Sequence, residues 1–282
     1  MFVVITMLGG VIGKLYNQTF RKSETMIKFA KAKALNYSNL LINGNFKINP
    51  RGKSSYSTNS TSIVRTVAMW RIQAGTGNSS VNITVNDDGT LTVTNNTSAM
   101  GYFVQAFHEP FEEGDYTASM NLLSKTGSIS FAINDCMDAA QEVNNGFNAF
   151  TGNGSPSRVT FYLGTGSSMK IQYCKLEHGN IATTYFEEDD AIAKTRVQQY
   201  VLAIPQVSVA RYSYRAGISY FSGFIFPIEM ASKPNITGTY ITSDTQTIDI
   251  SIDFNSRGIM YSYAQIDATG LDMRNMIISC EA

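Results

Sequence analysis

From residue 39 onward the chain alternates apolar and polar positions with a period of two, in short runs closed by Gly, Asn, Asp or Pro. That period is the signature of strands with one face turned to a core. Residues 39–52 carry an apolar pair, an Asn-Gly turn, then Phe46 and Ile48 before Pro50 and Gly52 stop the run. Residues 63–72 predict a strand in which Val67, Met69 and Arg71 alternate with Ala68, Trp70 and Ile72, which assigns Trp70 to the core. Residues 81–85 and 90–94, joined through Asp87-Asp88-Gly89, predict a hairpin. Further strands are predicted over residues 101–107, 114–123, 128–133, 157–163 and 169–176, while residues 144–157, rich in Asn, Gly and Ser, predict an exposed loop. Strands about ten residues apart with turn signals between them describe a jelly-roll-like β-sandwich.

The pattern changes twice after residue 169. The last sandwich strand ends in a His178-Gly179-Asn180 turn, and Glu187-Glu188-Asp189-Asp190 then opens a segment with apolar and cationic residues at helical spacing. Acidic residues in a first turn and cations further along suit the helix dipole. Beyond it, residues 207–214, 218–228, 235–243, 247–254, 258–267 and 275–280 predict a smaller antiparallel domain. The expected organisation is therefore an N-terminal segment (1–37), a sandwich (38–186), a linker helix (187–204) and a second β domain (205–282). Strands 220–228 are apolar on both faces, and a domain of this size buries a limited core alone. Burial against further copies of the chain, a homo-oligomer, is expected.

Residues 1–13 are apolar but lack the flanks of a signal peptide and fall short of the roughly 20 apolar residues a spanning helix needs. Residues 23–36 predict a helix capped by Ser23, with Met26, Ile27, Phe29, Ala30 and Ala34 on one side and Lys28, Lys31 and Lys33 on much of the rest. This segment is expected to attach or assemble the protein, without membrane insertion.

Composition narrows the partners. The 22 basic and 22 acidic residues balance, which gives no electrostatic reason to expect nucleic acid. Cys136, Cys174 and Cys280 are too far apart for a zinc or disulfide pattern and are expected as buried thiols. His108 and His178 stand outside any nucleophile context. Glu112-Glu113, Asp87-Asp88 and the 187–190 run could serve paired-carboxylate chemistry, but turns and a helix start are where carboxylates are common. Asp135, Asp138 and Glu142 lack a calcium-loop spacing. Asn59, Asn82 and Asn235 match a glycosylation triplet at the frequency this composition gives by chance. No cofactor motif occurs. Two aromatic pairs stand out, Tyr212 with Tyr214 and Tyr261 with Tyr263, because flat rings with hydrogen-bonding tips suit glycans and protein interfaces alike.

The order of several motifs resembles phage tail-fibre and receptor-binding proteins with a carbohydrate-binding-module-like jelly roll. Residues 39–52 (NLLINGNFKINPRG) look like that family's opening motif, and residues 115–119 (DYTAS) like one of its strands. Leu176, Glu177, Gly179, Ala182, Thr183, Phe186 and Glu187 resemble its closing signature. Residues 196–200 (RVQQY) are similar to the end of its short helix, with Val197 and Gln199 departing. Phe226-Pro227-Ile228-Glu229-Met230 with Pro234 looks like a C-terminal motif. Ala68-Met69-Trp70 departs from the family's Asp-Arg-Trp, and Thr184 from its usual Pro. The resemblance spans residues 39–282 and implies a non-enzymatic, homotrimeric virion fibre, of head or tail, that adheres to host surface glycans. In that reading residues 1–37 meet other virion proteins. A glycan-active enzyme or its accessory module, and a structural decoration protein without ligand, are the alternatives.

Overall fold

The computed structural model describes residues 39–75, 80–215, 218–227, 229–242, 251–264 and 270–281. The apolar segment and the helix expected over residues 23–36 lie outside the described residues. In chain order the strands are β1 (Ser55–Thr58), β2 (Val64–Arg65), β3 (Arg71–Ala74), β4 (Val81–Val85), β5 (Leu91–Asn95), β6 (Gly101–Ala106), β7 (Gly114–Thr126), β8 (Ile129–Asn134), β9 (Gln141–Glu142), β10 (Gly146–Gly154), β11 (Arg158–Leu163) and β12 (Ser168–His178). Helix α1 (Asp190–Gln198) follows, then β13 (Val201–Arg215), β14 (Ile218–Ile225), β15 (Asn235–Thr242), β16 (Ser251–Asn255), β17 (Gly258–Ala264) and β18 (Gly270–Ser279). The protein is all-β, with a single short helix among the described residues.

The first twelve strands form two six-stranded sheets, ordered β1-β4-β5-β12-β7-β10 and β2-β3-β6-β11-β8-β9, with every pairing antiparallel. The period-two pattern explains why they face each other. Ile83, Val93, Leu91 and Ile171 from one sheet and Ile72, Phe103, Phe131 and Phe161 from the other are fully buried in one core, while the residues between them point out. Trp70 sits in that core, stacked on Phe103 at 4.6 Å and edge-on to Phe46, and its Nε1 donates to the Asn43 carbonyl. The β4–β5 hairpin forms as the sequence predicts: Gly89 takes φ +79°, and Asp88 Oδ1 accepts from Thr90 N.

Two expectations are corrected. Residues 63–72 are not one strand. The chain turns between β2 and β3, with Met69 at φ +69°, Trp70 N donating to Val67 O, and Thr66 N donating to Trp70 O. Residues 66–70 are all buried, so the alternation marks neither a paired strand nor a solvent face here, and burial of the indole against Phe103 and Phe46 overrides it. Residues 144–157 are not a loop either, because β10 pairs along its whole length with β7. Its Asn and Gly content has a different cause. A Cβ on Gly152 would fall on the Cys136 carbonyl oxygen, so the strand needs glycine to pass the Asp135–Met137 turn. Asn148 meanwhile bonds Asn144 through both backbone groups.

The remaining strands make a third six-stranded sheet, β15-β18-β13-β14-β17-β16. Strand β13 pairs with β18 along residues 201–210 and with β14 along residues 211–215, so it joins the two halves. Val209, Phe221, Ile259, Leu271, Met273, Met276 and Ile278 form its core. Helix α1 is the coupling piece. Asp189 caps it by accepting from Ala191 N and Ile192 N, and Val197 packs with Ala68 of the sandwich and Val201 of β13.

Candidate functional site

The four tyrosines singled out in the sequence fall on two strands of the third sheet. Tyr212 and Tyr214 lie in β13, Tyr261 and Tyr263 in β17, with β14 between them. Tyr214 pairs with Ser219, whereas Tyr263 pairs with Tyr220, so the register does not set the two pairs directly opposite each other.

Several of the titratable residues singled out in the sequence are engaged in structural roles. Asp88 binds Lys170 at 2.7 Å, Glu187 pairs with Lys47, Glu188 holds Arg196 at 2.9 Å, and Asp189 caps α1. Glu142 pairs with Lys125, and Asp135 accepts from Ser157 Oγ. Among the described residues no group of three His, Cys, Asp or Glu side chains could hold a metal ion. His108 is exposed, and the His178 ring lies 4.7 Å from that of Tyr116. A cleft of about 720 Å³ lies between the sandwich and α1, and part of its polar lining is already bonded within the protein. Gln105 exchanges two 2.8 Å bonds with the Ile42 backbone, and Arg196 donates to Asn39 O at 3.0 Å.

The two outer faces of the sandwich differ. On the β12 side the chain returns over its own sheet. Lys175 and Glu177 point outward, yet residues 179–187 cover them, with Tyr185 stacked on Tyr173 at 4.0 Å and 8°. Burial raises the pKa of the Tyr185 phenol, with Glu187 and Glu188 nearby acting in the same direction. Phe147, 60% exposed, stands on the edge strand β10 of this sheet.

The other face is open and ordered in rows by the strand register. One row reads Gln73, Tyr102, Tyr162, Ser130, and the next Arg71, Val104, Thr160, Ala132. A third places Ala106, Arg158 and Asn134 side by side. Val104, Ala106, Thr160 and Ala132 are small and lie low, each 8% exposed or less. Tyr102 and Tyr162 are half-buried with rings 5.7 Å apart at 72°. Tyr162 leans from the first row across the second to reach Asn134 in the third, while Arg71 ends the second row and Arg158 stands in the third between Ala106 and Asn134. Asn134 fixes the platform, donating to Tyr162 Oη at 3.1 Å while accepting from Thr160 Oγ1 at 2.6 Å. An adjacent pair of aromatic rings beside a shallow floor, with fixed amide and hydroxyl tips, can stack on a ring's C–H face and bond its hydroxyls. The sequence pattern does not bring these residues together. Alternation puts Tyr102 and Tyr162 opposite Phe103 and Phe161, but nothing local says that β6 and β11 are neighbours.

Among solved structures, the chain aligns with TmCBM61 in complex with β-1,4-galactotriose at 12% identity and a TM-score of 0.30, over 50% of this chain and 99% of that one. It aligns with the family 11 carbohydrate-binding module of Clostridium thermocellum, in complex with a β-1,3-1,4-mixed-linked tetrasaccharide, at 11% identity and a TM-score of 0.25, covering 45% and 89%. Discoidin II of Dictyostelium discoideum aligns at 10% identity and a TM-score of 0.22, covering 64% and 77%. No protein-family model matches the chain, and no curated protein matches it in sequence.

Proposed function

We propose that this protein is a non-catalytic glycan-binding adhesin, a homotrimeric fibre protein of a phage virion, whose sandwich presents the β3-β6-β11-β8 outer face to sugar. The observation that carries the binding site is the Tyr102–Tyr162 platform over its floor of small residues. The T-shaped ring pair and the Asn134 bonds stabilise the sheet as any cross-strand pair does, and they also leave two half-exposed rings with fixed polar tips beside a floor of small residues, the arrangement that stacks on a sugar. The fibre role is supported by the motif order from residue 39 onward, and trimerisation by the apolar strands of the third sheet. Tyr212, Tyr214, Tyr261 and Tyr263 are then candidates for a second glycan contact or for the interface between copies.

The accessory-module reading has its own support. The sandwich core closes without any residue beyond Leu176, so this half carries what an independent module needs. The test is binding of the full chain to a glycan array, with Tyr102→Ala and Tyr162→Ala as controls, beside light scattering for mass and a reducing-sugar assay. Binding that the double variant abolishes, at trimer mass and without sugar release, is expected. Sugar release, or binding indifferent to both tyrosines, overturns the proposal.

A further inference from the structure

We propose that the β3-β6-β11-β8 face takes an anionic sugar, with Arg71 and Arg158 gripping the acidic group beside the tyrosine platform. The inference rests on the glycan-binding reading above and specifies its ligand. Three arginines converge on one edge of the platform. Arg65 on β2 is directly opposite Arg71 on β3, and Arg158 lies two strands further along, roughly 10 Å away across the sheet. Like charges directly opposite on a sheet destabilise it. Arg65 is drawn aside, donating to the Glu281 carbonyl at 2.6 Å. Neither Arg71 nor Arg158 has a hydrogen-bond or ion-pair partner among the described residues, and the acidic residue in the neighbouring row, Glu142, is held by Lys125. Partial burial and the charges of Arg65 and Arg158 act together to lower the pKa of Arg71, as expected for a cation short of counter-charge.

Two guanidinium groups without a counter-charge border a floor of Val104 and Ala106, and an anion between them relieves the repulsion. The guanidinium fork matches a carboxylate or phosphate edge in a bidentate way. With the anion there, the ring carrying it lies over Val104 and Ala106, against Tyr162 and within reach of Tyr102. Two sources of such an anion on a glycan are a uronic-acid carboxylate and a phosphodiester.

The experiment is a titration of the full chain with polygalacturonate, its carboxyl-reduced neutral counterpart, poly(glycerol phosphate) and poly-glutamate, at low and high salt. Arg71→Gln with Arg158→Gln is the principal variant, and the exposed Arg158→Gln alone the second, its fold checked by thermal melting. Expected is salt-sensitive binding to polygalacturonate or poly(glycerol phosphate), whichever is the source. Binding should weaken at least tenfold in the double variant and partly in the single one, with little affinity for poly-glutamate. Binding to the neutral polymer that the double variant leaves unchanged overturns the anion assignment and leaves the glycan reading standing. Equal binding to poly-glutamate overturns it as mere charge attraction, and binding to none of the polymers together with a blank glycan array overturns both.

Discussion

Lys175 and Glu177, two residues apart on β12, are each 1% exposed and bound to one another at 2.9 Å. They share one partner, Thr183, whose hydroxyl donates to Glu177 and accepts from Lys175, while Thr183 N donates to Glu177 Oε1 at 2.9 Å. Strand period two places both on the outer face, where a cation and an anion would ordinarily stay in water. The returning segment instead buries them, with Tyr185 on Tyr173 beside them. Removing one partner leaves the other charge buried and alone, which costs about 3–5 kcal/mol. Glu177→Ala is therefore expected to destabilise the sandwich by that order in urea denaturation. The double change Lys175→Met with Glu177→Leu should recover much of the loss, because an apolar pair has no charge to desolvate. A double variant as unstable as Glu177→Ala would show that the ion pair itself, not the burial of a lone charge, holds the segment.

The far end of the chain is tied by a second buried carboxylate. Glu281 pairs with Arg51, accepts from Met69 N at 2.7 Å, and receives the Ser279 hydroxyl at 2.9 Å. Met69 is the left-handed residue of the β2–β3 turn, so this one side chain links the third sheet to the turn that seats Trp70. Glu281→Ala should cost about 3 kcal/mol, the lower end for a broken buried pair, because Arg51 still donates to Thr66 O at 3.0 Å. Trp70 is the only tryptophan, and its fluorescence reports the change directly. A shifted emission maximum before global unfolding is expected, and an unchanged spectrum with unchanged midpoint would remove the clamp from the account.

The contrast between these sites and the rest shows what the chain discloses locally. The β4–β5 hairpin was legible because Asp88, Gly89 and the alternation around them all act within a few residues. The opening motif was legible as a string, but its reasons are distant. Asn39 bonds the backbone of Cys174 and Leu176, Asn43 accepts at its carbonyl from the Trp70 indole, and Gly44 sits where a Cβ would strike the Cys174 carbonyl. Likewise Glu177 and Thr183 belong to one recognisable signature because they bond each other. What stayed hidden is whatever depends on which strands become neighbours. The turn at residues 66–70, the glycines of β10 and the Tyr102–Tyr162–Arg71–Arg158 face all arise from pairings between strands far apart in the chain.

Thiol chemistry gives an independent check of burial. The three cysteines are free; Cys136 and Cys174 are buried and Cys280 is half-buried. Burial, with Asp135 adding to it, pushes the Cys136 thiol up to about 11, and burial raises Cys174 as well. Since the thiolate is the nucleophile, iodoacetamide at pH 8 should modify Cys280 first and leave the other two until the protein unfolds. Mass spectrometry of the labelled peptides decides it. Fast labelling of Cys174 in the native state would contradict its place between the sheets.

Gly152 offers a test of the corrected β10. Adding a methyl group there forces the strand away from the Cys136 carbonyl, an overpacking that costs about 1–3 kcal/mol. Gly152→Ala should therefore lower the thermal midpoint and speed amide exchange along β10. Gly146, with nothing near its Cβ position, is the control for contact, although its φ of +87° carries its own strain. Exchange along β10 as fast in the parent protein as in an unpaired segment would restore the loop reading.

Asp88 is held well below the usual carboxylate range, at about 2, first by its bond to Lys170 and then by the Thr90 hydroxyl and amide. Its unfolded value is about 3.9. A depressed folded pKa means that the unfolded chain takes up the proton first, so the contribution is full above about pH 4 and is lost as pH falls through about 2. Carboxyl-carbon NMR should place the Asp88 midpoint near 2. The stability difference between the parent and Asp88→Asn should shrink steadily from pH 4 to pH 2 and stay constant above pH 5. Because both groups of this pair reach solvent, added salt should weaken the effect without abolishing it, since the Thr90 bonds do not depend on a partner charge. A midpoint at the unfolded value would mean that neither Lys170 nor Thr90 engages the carboxylate in solution.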